Sequence, residues 1–598
     1  MAVATTSSVR KFRRPRPASG HRSPTPVPDT STPWRRATAA LLIAVFVVMG
    51  LLSLGQRPAG YLSSDIGPKL ATVDAMTATG SPRPLVGYWA AEEDPDGSLH
   101  PLRHSLTAAV STGGERQYVV VTTLPMLMLA QPLYAVGGYR LLLVVPIVGA
   151  LLAAAAAGAL SRRLGSPNGL AATFSVGLAS PILVYATAFW EHSWGVALMA
   201  WGMIGLLDAA CGRRWGRAPA WVVGLLAGVA FGVAAAMRQE ALVVAAVAGV
   251  AVAVGTLRPG SSADVGLVAP TPGTGLRRLV LRLWAVPVGG GAMLALTAVV
   301  ETRIIGDTIR VDRGLASLQT ASTATERLSA AVITFASPSG GPAPVVMIVG
   351  LLFVGSLMAL GRALDRGRDA TRPAVVVACS YLIVVLNWML NGTGFLSGLV
   401  VAAPLVGVGL GLRPTSSTGR IVRNTAIAAL GWIMYFQYAI GAEPQWGGRY
   451  LLLPGLLLTV SAVTALERAR RRALMVMLAL STLLTLAGAA WSIERSHAFE
   501  RLGARLSADD RPLVFEDAFL PQEFGPVALA ERWLVADSEG ARSEAATLLI
   551  DADIEAFDYV GTGIEPEFVG FVPDDRVVVV EVIRADRLRV TTYVRQTP

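Results

Sequence analysis

Thirteen apolar segments, each about long enough to cross a bilayer, constrain the fold of this chain more than any other feature. They fall at about residues 37–54, 140–160, 169–187, 194–209, 219–236, 240–257, 279–299, 343–361, 373–390, 396–412, 422–440, 449–466 and 473–491. A helix needs roughly 17–25 residues to span the hydrocarbon core. Charged residues make up 15% of the chain, whereas soluble globular proteins carry about 25%. The sequence therefore predicts an α-helical polytopic membrane protein with about 13 transmembrane helices.

Arginine clusters between these segments predict which loops face the cytoplasm. They follow every second segment, at Arg162-Arg163, Arg213-Arg214-Arg217, Arg258 with Arg277-Arg278, Arg362-Arg366-Arg368-Arg372, Arg413-Arg420-Arg423 and Arg468-Arg470-Arg471-Arg472. Lys and Arg concentrate in short cytoplasmic loops. Every cluster lies inside if the apolar, proline-containing stretch 119–136 lies on or dips into the membrane without crossing it. The net charge of +10 is then an orientation signal, and we predict no nucleic-acid partner.

The same topology divides the chain into three parts. Residues 1–36, rich in Arg, Pro, Ser and Thr, predict a disordered basic cytoplasmic tail. Residues 37–491 predict the transmembrane domain, and residues 492–598, of soluble composition, predict a small extracytoplasmic domain, either α/β or mostly β. The long outer loops are 55–139, with the membrane-associated helix, and 300–342. Strand-like runs in the C-terminal domain are Ala546–Ile550, Val577–Val582 and Leu588–Val594. We thus expect a multi-pass protein of the cell membrane with its N-terminus in the cytoplasm and its C-terminal domain outside.

Five polar features fall on the predicted outer side. They are Asp65 in the first loop, Trp190-Glu191-His192-Ser193-Trp194, Arg238-Gln239-Glu240, Asn387 to Asn391, and Glu443-Pro444-Gln445-Trp446-Gly447-Gly448-Arg449-Tyr450. Ionisable residues in a membrane bundle are costly and tend to be functional. Arg238 and Arg449 are exceptions in short outer loops that otherwise hold almost no basic residues. Several such features on one face, beside a loop that carries an acid, indicate a site.

The order of these motifs resembles the GT-C superfamily, membrane glycosyltransferases that use polyprenyl-phosphate-linked sugars. The resembling motifs are Ser63-Ser64-Asp65-Ile66-Gly67-Pro68-Lys69, Leu124-Pro125 with Gln131-Pro132-Leu133-Tyr134, Phe189-Trp190-Glu191-His192, Met237-Arg238-Gln239-Glu240-Ala241 and Gly447-Gly448-Arg449-Tyr450-Leu451-Leu452-Leu453-Pro454. The resemblance covers about the first 490 residues. It implies a mannosyl- or arabinosyltransferase-like enzyme that moves a sugar from a polyprenyl phosphate to a glycan, lipid or protein of the cell envelope. The resemblance also implies transfer on the outer face, usually with inversion.

Residue chemistry gives the principal candidates their roles. Asp65 is the candidate general base for the acceptor hydroxyl, a contribution of about 10²–10⁴-fold; the alternative is a residue that caps the following helix. Arg238, Arg449 and His192 are candidates for binding the donor phosphate, because Arg forms bidentate bonds with phosphate. Their alternatives are a structural ion pair for Arg238 and interfacial anchoring for Arg449 and His192. Many GT-C members carry two adjacent acids in the first loop, whereas here the next acid after Asp65 is Asp74, so the identity of the base stays open.

Further residues are candidates for support or substrate contact. They are Glu191, Glu240, Lys69, Asp74, Gln445, Trp446 and Tyr450. Glu240 is expected to orient Arg238, and an aromatic belt is the alternative for Trp446. The site shows no metal-ligand spacing, and the pair His100 and His104 is a weak metal candidate because Pro101 intervenes. We therefore predict no specific cofactor and leave a divalent metal open.

Two other functions are compatible with a polytopic membrane protein. A transporter or flippase for lipid-linked glycans should show charges inside its spans and repeat symmetry, and the sequence has few of the former and no repeat. A non-catalytic scaffold could use residues 492–598 to recruit cell-wall enzymes. The Ala-, Arg- and Gly-rich composition is typical of a high-GC bacterium, in which the outer side is periplasmic or faces the cell wall.

Overall fold

The structure is a computed structural model. It describes residues 31–60, 65–103, 106–112, 115–120, 123–257, 274–306, 323–337, 344–368, 371–391, 396, 398–414, 416–436, 446–563, 565–583 and 586–596. Gln445, His104 and most of the predicted 1–36 tail lie outside these ranges.

Helices make up most of the described chain. The N-terminal part contains α1 (Ser31–Leu54), α2 (Ile66–Thr79), β1 (Leu85–Val86), β2 (Leu106–Thr112), β3 (Glu115–Val120) and α3 (Leu124–Leu142). It is followed by α4 (Val144–Arg163), α5 (Leu170–Leu178), α6 (Ile182–Ala186), α7 (His192–Ala210), α8 (Ala220–Met237), α9 (Glu240–Leu257), α10 (Thr274–Leu283) and α11 (Ala285–Ile305). Next come α12 (Ala324–Ala336), α13 (Pro344–Asp365), α14 (Thr371–Asn391), α15 (Leu399–Ala402), α16 (Leu405–Gly411) and α17 (Ser417–Phe436). A 3₁₀ turn, Arg449–Leu451, leads into α18 (Leu452–Ala469) and α19 (Arg471–Leu506).

The C-terminal part is a mixed α/β fold. Its elements are β4 (Leu513–Phe515), a 3₁₀ turn (Pro521–Phe524), α20 (Val527–Ala530), β5 (Trp533–Val535), α21 (Glu539–Asp551), β6 (Ala556–Gly561), β7 (Phe571–Ile583) and β8 (Asp586–Arg595). The five strands are ordered β5-β4-β6-β8-β7. Strand β4 is parallel to β5 and β6, whereas β8 is antiparallel to β6 and β7.

Each of the thirteen predicted segments contains helix in its described part, and the helical polytopic fold with a small C-terminal sheet is confirmed. By length and composition, eight helices in the described part of the chain are long and apolar enough to cross a membrane. Two predicted segments are split into pairs of short helices, α5–α6 before Pro181 and α15–α16 before Pro404. Proline disfavours helical backbone at the residue before it, and Ala403 indeed has φ −136° and ψ 77°.

Two local predictions are wrong. The helix expected at 119–136 begins at Leu124, because the β-branched Val119 and Val120 belong to β3. The strand expected at Ala546–Ile550 is the second half of α21. This helix is started by Ser538, whose hydroxyl accepts a hydrogen bond from the Ala541 N–H at 3.2 Å. The strands expected at 577–582 and 588–594 lie within β7 and β8.

The predicted first outer loop and the C-terminal region share one hydrophobic core, so we name the described residues of 56–120 and 499–596 together the outer module, after the predicted topology. Tyr88, Leu99 and Tyr118 are buried in the same cluster as Phe515 and Trp533. The backbone joins the two parts, because the Gly60 N–H donates to the Glu523 carbonyl at 2.8 Å and the Val535 N–H donates to the Leu99 carbonyl at 2.9 Å. The 36-residue helix α19 leads from the last predicted span into this module.

Helix α2 rests directly on the C-terminal part of the outer module. A Cβ on Gly67 would collide with the carbonyl of Gln522, so the first turn of α2 lies against the 3₁₀ turn Pro521–Phe524. Because Asp65 immediately precedes α2, this contact fixes the position of the candidate base relative to the membrane helices.

Candidate active site

Asp65 occupies the N-cap position of α2, but its side chain does not cap the helix. The backbone there has φ −74° and ψ −29°, and no capping hydrogen bond forms from the side chain. Instead, Arg449 Nη1 donates to Asp65 Oδ2 at 2.7 Å. The Asp65 side chain is 38% exposed and that of Arg449 is 11% exposed. The geometry therefore joins two candidates that lie 384 residues apart in sequence.

Two glycines place Arg449 at the start of α18. Gly447 and Gly448 have φ +60° and +65°, a region that residues with a Cβ rarely enter. A Cβ on Gly447 would collide with the ring of Pro181, and one on Gly448 would lie 2.9 Å from the Thr334 carbonyl oxygen. The chain thus turns sharply between α6 and α12 before it delivers the guanidinium group to Asp65.

Arg238 lies where α8 gives way to α9. Its backbone is extended, with φ −144° and ψ 116°. Its Nε donates to Glu240 Oε1 at 2.8 Å, and its Nη1 donates to Glu191 Oε1 at 3.0 Å. The guanidinium group is 8% exposed, and Glu240 makes the contact expected of an orienting partner.

Lys69 extends this network to α2. Its Nζ donates to Glu191 Oε2 at 2.7 Å, and both side chains are at most 3% exposed. Burial alone raises the pKa of the Glu191 carboxyl, but its interactions with Lys69, His192 and Arg238 outweigh burial and hold that pKa well below its usual range. Glu191 is therefore a carboxylate that ties α2 to the junction between α8 and α9.

Aromatic rings hold the cationic groups close together. The Tyr450 ring centroid lies 4.7 Å from Arg238 Cζ and 4.6 Å from Arg449 Cζ. The Trp190 ring lies 5.2 Å from Lys69 Nζ and 5.9 Å from Arg449 Cζ. Cation–π attraction stabilises such contacts. Two guanidinium groups on a single ring create a place where an anion is favoured.

His192 is packed among the same aromatic side chains. Its ring stacks on Tyr185 at 5.1 Å and meets Trp190 edge-on at 4.6 Å. Within the described residues, neither of its ring nitrogens has a hydrogen-bond partner, and the same is true of Arg238 Nη2 and Arg449 Nε. Buried polar atoms are normally paired. These atoms therefore mark a place for a polar ligand between α7 and α18.

Sequence reasoning did not single out Tyr185 or the ring of Trp190 as parts of the site. The Tyr185 hydroxyl donates to the Trp446 carbonyl at 2.7 Å, which holds the turn before Gly447. The position of Trp190 directly before Glu191 was the available signal. Tyr185 gave no such signal, because the sequence of an apolar segment does not indicate which of its aromatic residues points toward a polar cluster.

The side chains of two predicted candidates lie away from the cluster formed by Asp65, Arg238 and Arg449. Asp74 accepts a hydrogen bond from the Tyr134 hydroxyl at 2.8 Å, about 13 Å along α2 from Asp65 at 1.5 Å per residue. Trp446 is 1% exposed, and its indole packs against Gly488 of α19. The Trp446 indole therefore packs between helices and does not form an exposed aromatic belt, and its substrate contact stays a prediction. Gln445 lies outside the described residues.

His100 belongs to the core of the outer module. Its ring lies 4.6 Å from that of Tyr88 and 5.0 Å from that of Tyr118. Its Nδ1 accepts a hydrogen bond from the Leu102 N–H at 3.0 Å. In the part of the chain that the structure describes, no three His, Cys, Asp or Glu side chains are grouped to hold a metal ion.

Comparisons with known proteins find similarity only among solved structures: no protein-family model and no curated protein matches the chain. ArnT from Cupriavidus metallidurans, bound to undecaprenyl phosphate, is 15% identical with a TM-score of 0.40, and the alignment covers 92% of this chain and 97% of ArnT. The mycobacterial arabinofuranosyltransferase AftD is 14% identical with a TM-score of 0.42, over 94% of this chain and 40% of AftD. The chain thus spans less than half of AftD. At these values, the function has to be inferred from the side chains of the site.

Proposed function

We propose that this protein is a membrane glycosyltransferase that moves a sugar from a polyprenyl-phosphate donor to a cell-envelope acceptor on the outer face. The observation that carries the proposal is the Asp65–Arg449 ion pair beside Arg238. It joins a carboxylate, which can accept a proton, to two guanidinium groups, which can bind a phosphate.

The buried side of the cluster suits the donor phosphate. Arg238 Nη2 and Arg449 Nε lack partners within the described residues, and both guanidinium groups rest on Tyr450. Arg binds phosphate oxygens through charge-assisted hydrogen bonds. With its negative charge balanced by the two guanidinium groups, the phosphate leaves the anomeric carbon with the bonding electron pair. His192 supplies a further polar edge on this side.

The exposed side of the cluster suits the acceptor. Asp65 is the more exposed partner of its ion pair, and it lies where α2 meets the outer module. An acceptor hydroxyl that approaches from outside therefore reaches Asp65 before it reaches either guanidinium group. We infer that the acceptor and the departing phosphate occupy opposite sides of the sugar, as single displacement with inversion requires.

Donor binding and base activation are coupled through Arg449. In the ion pair, Asp65 Oδ2 is occupied by the hydrogen bond from Arg449 Nη1. A donor phosphate competes for the same guanidinium group and releases the carboxylate. The acceptor oxygen then bonds to the anomeric carbon, its proton passes to Asp65, and polyprenyl phosphate departs. Asp65 returns the proton to water and pairs with Arg449 again.

Lys69, Glu191 and Glu240 act on this step by positioning Arg238. The carboxylate of Glu191 holds Lys69 and Arg238 at 2.7 Å and 3.0 Å. Glu240 holds the guanidinium Nε, so Nη2 remains available for the phosphate. Fixed donors that need no rearrangement stabilise developing charge effectively.

The proposal is tested by complementing a deletion strain with the wild-type protein, Asp65→Asn or Asp74→Asn. Mass spectrometry of the envelope glycans reads out transfer. We expect Asp65→Asn to reach the membrane at a normal level and to leave the glycans of the deletion strain unchanged. Asp74→Asn is the matched control on the same helix and should restore them.

Other outcomes of this experiment exclude the proposal. If Asp65→Asn complements fully, Asp65 is not the base. A scaffold or a transporter would then fit the result, because this substitution should spare the function of either. Restoration by Asp65→Asn together with failure of Asp74→Asn would transfer the role of base to Asp74.

A further inference from the structure

A groove along one face of α13 ends in three arginines. Its volume is about 380 Å³. Gly355, Met358, Ala359 and Ala363 line its apolar part, and Arg362, Arg366 and Arg368 line its end. From 355 to 366 these residues recur at three- and four-residue spacing, so they share one helix face. Glycine and alanine make that face a shallow trough, and a Cβ on Gly355 would meet no atom within 4 Å.

The opposite face of α13 is packed into the bundle. Leu357 is fully buried and lies against Gly407 of α16, and Gly361 approaches the Val408 carbonyl closely. Because these contacts fix the rotation of α13, Gly355 and Ala359 are held exposed on the other side.

The arginines at the end of the groove carry uncompensated charge. Arg362, Arg366 and Arg368 are exposed, and none of them forms an ion pair with an acidic residue of the described ranges. Asp365 is the acid beside them on α13. Arg413, after α16, and Arg423, in α17, are near enough for their charges to act together with Arg362. Positive charge from three elements thus collects at the end of α13 that the arginine pattern places in the cytoplasm.

We propose that this groove binds an anionic phospholipid of the cytoplasmic leaflet, with its phosphate on the three arginines and an acyl chain along the small-residue trough. Charge complementarity supports this occupant, because basic pockets at the cytoplasmic ends of membrane helices attract anionic headgroups. Length supports it as well: Gly355 to Arg366 spans about 16 Å at 1.5 Å per residue, close to half of a hydrocarbon core of about 30 Å.

Native mass spectrometry of the purified full-length protein tests the charge requirement. The protein is titrated with phosphatidylglycerol, phosphatidylcholine and inorganic phosphate. The wild-type protein should bind phosphatidylglycerol in preference to the other two. A triple variant that removes the headgroup contacts, Arg362→Gln/Arg366→Gln/Arg368→Gln, should weaken that binding by about 100-fold, the product of three headgroup contacts.

The matched control is Arg470→Gln/Arg471→Gln/Arg472→Gln. It removes the same charge from exposed residues at the start of α19 and should change binding by less than about 3-fold.

A second variant tests the groove without changing its charge. Gly355→Leu/Ala359→Leu fills the trough at positions that point away from the bundle, so its thermal stability should match that of the wild-type protein. Its affinity for phosphatidylglycerol should fall by about 10-fold.

Equal loss of binding in both triple arginine variants would show general charge attraction and overturn the site. Binding of inorganic phosphate as tight as that of phosphatidylglycerol, or equal binding of phosphatidylcholine, would overturn the anionic lipid as occupant.

Discussion

At the scale of single residues, the Asp65–Arg449 pair decides how the site works. Asp65 begins a helix but leaves its N–H groups without a side-chain cap. A capping hydrogen bond is worth about 1 kcal/mol, and the chain uses the carboxylate for Arg449 instead. Features that forgo local stabilisation are typical of functional positions.

Arg449→Lys keeps the positive charge at this position but removes the bidentate geometry of the guanidinium group. Lysine can keep an ion pair with Asp65 but cannot present a planar fork to a phosphate. We expect the KM for the donor to rise about 10- to 100-fold, the loss of one or two charge-assisted hydrogen bonds. The measurement is transfer at varied donor concentration.

Arg495→Lys is the matched control for this substitution. Arg495 also pairs with an acid of the outer module, Glu523, at 3.0 Å, and it lies outside the site. Its replacement should leave the KM for the donor unchanged. An Arg449→Lys enzyme with wild-type donor KM would exclude Arg449 from phosphate binding.

The pairing within the site could be predicted from sequence only in part. Arg238 and Glu240 are two residues apart across a helix junction, and their contact follows from that spacing. The Lys69–Glu191 contact could not be foreseen, because it depends on how α2 packs against the start of α7. Trp446 shows the opposite failure, since a tryptophan near a predicted membrane surface has the same pattern whether it anchors the interface or fills a gap beside Gly488.

At the scale of elements, interruptions in helices create the site. The extended Arg238 ends α8, whereas Pro181 and Gly448 occupy the positions directly before α6 and the 3₁₀ turn Arg449–Leu451. Non-helical backbone is tolerated at membrane depth only where protein covers it. Here the Gly447–Gly448 turn is covered by Pro181, directly before α6, and by Thr334 of α12.

Gly447→Ala tests whether the glycine turn positions Arg449. The residue has φ +60°, which costs roughly 1–2 kcal/mol for a residue with a Cβ, and the added methyl group collides with Pro181. We expect a lower melting temperature and a loss of transfer larger than lost stability explains.

Gly431→Ala is the control within a helix. A Cβ at Gly431 in α17 meets no atom within 4 Å, and alanine favours helix by about 1 kcal/mol over glycine. Its stability should be unchanged or higher. If Gly447→Ala behaves like Gly431→Ala, the turn does not constrain Arg449.

Segment length explains which elements the sequence could identify. Long apolar runs specify helices almost regardless of neighbours, and each of the thirteen contains helix in its described part. The run Ala546–Ile550 is only five residues long, and an apolar run of that length fits a strand or one buried face of a helix equally well. The Ser538 cap, eight residues upstream, was the local signal for α21.

At the scale of the whole molecule, the outer module links the first loop to the C-terminus. The sequence separates these parts by almost 400 residues, and neither part alone contains the core that Tyr88, Tyr118 and Trp533 form together. No composition or periodicity argument pairs segments so far apart. The consequence for function is that the position of Asp65 depends on the C-terminal region, through Gly67 and Gln522.

The outer module should lose stability in mild acid because of His100. Burial lowers the pKa of His100 to about 3, against a smaller opposing effect of Asp94, whereas an unfolded histidine has a pKa of about 6.5. Between these values the unfolded chain binds a proton that the folded chain does not, so stability falls as the pH falls below about 6.5. At pH 5 the loss is about 2 kcal/mol.

Hydrogen exchange of the β3 amides in the full-length protein, corrected for intrinsic rates, measures this loss. His100→Gln removes the titrating group, so its opening free energy should change little between pH 7 and pH 5 even if it starts lower. Parallel losses in the wild-type protein and the variant would show that another group causes the acid sensitivity.

The most direct test of the central claim is single-turnover transfer by the purified protein in nanodiscs. Lipid-linked donor and acceptor extracted from a deletion strain serve as substrates, and mass spectrometry counts released polyprenyl phosphate and glycosylated acceptor. We predict that the wild-type protein forms the two in equal amounts and that Asp65→Asn slows both by at least about 100-fold, while Asp74→Asn is close to wild type. Transfer by Asp65→Asn at the wild-type rate would contradict the assignment of Asp65 as the base.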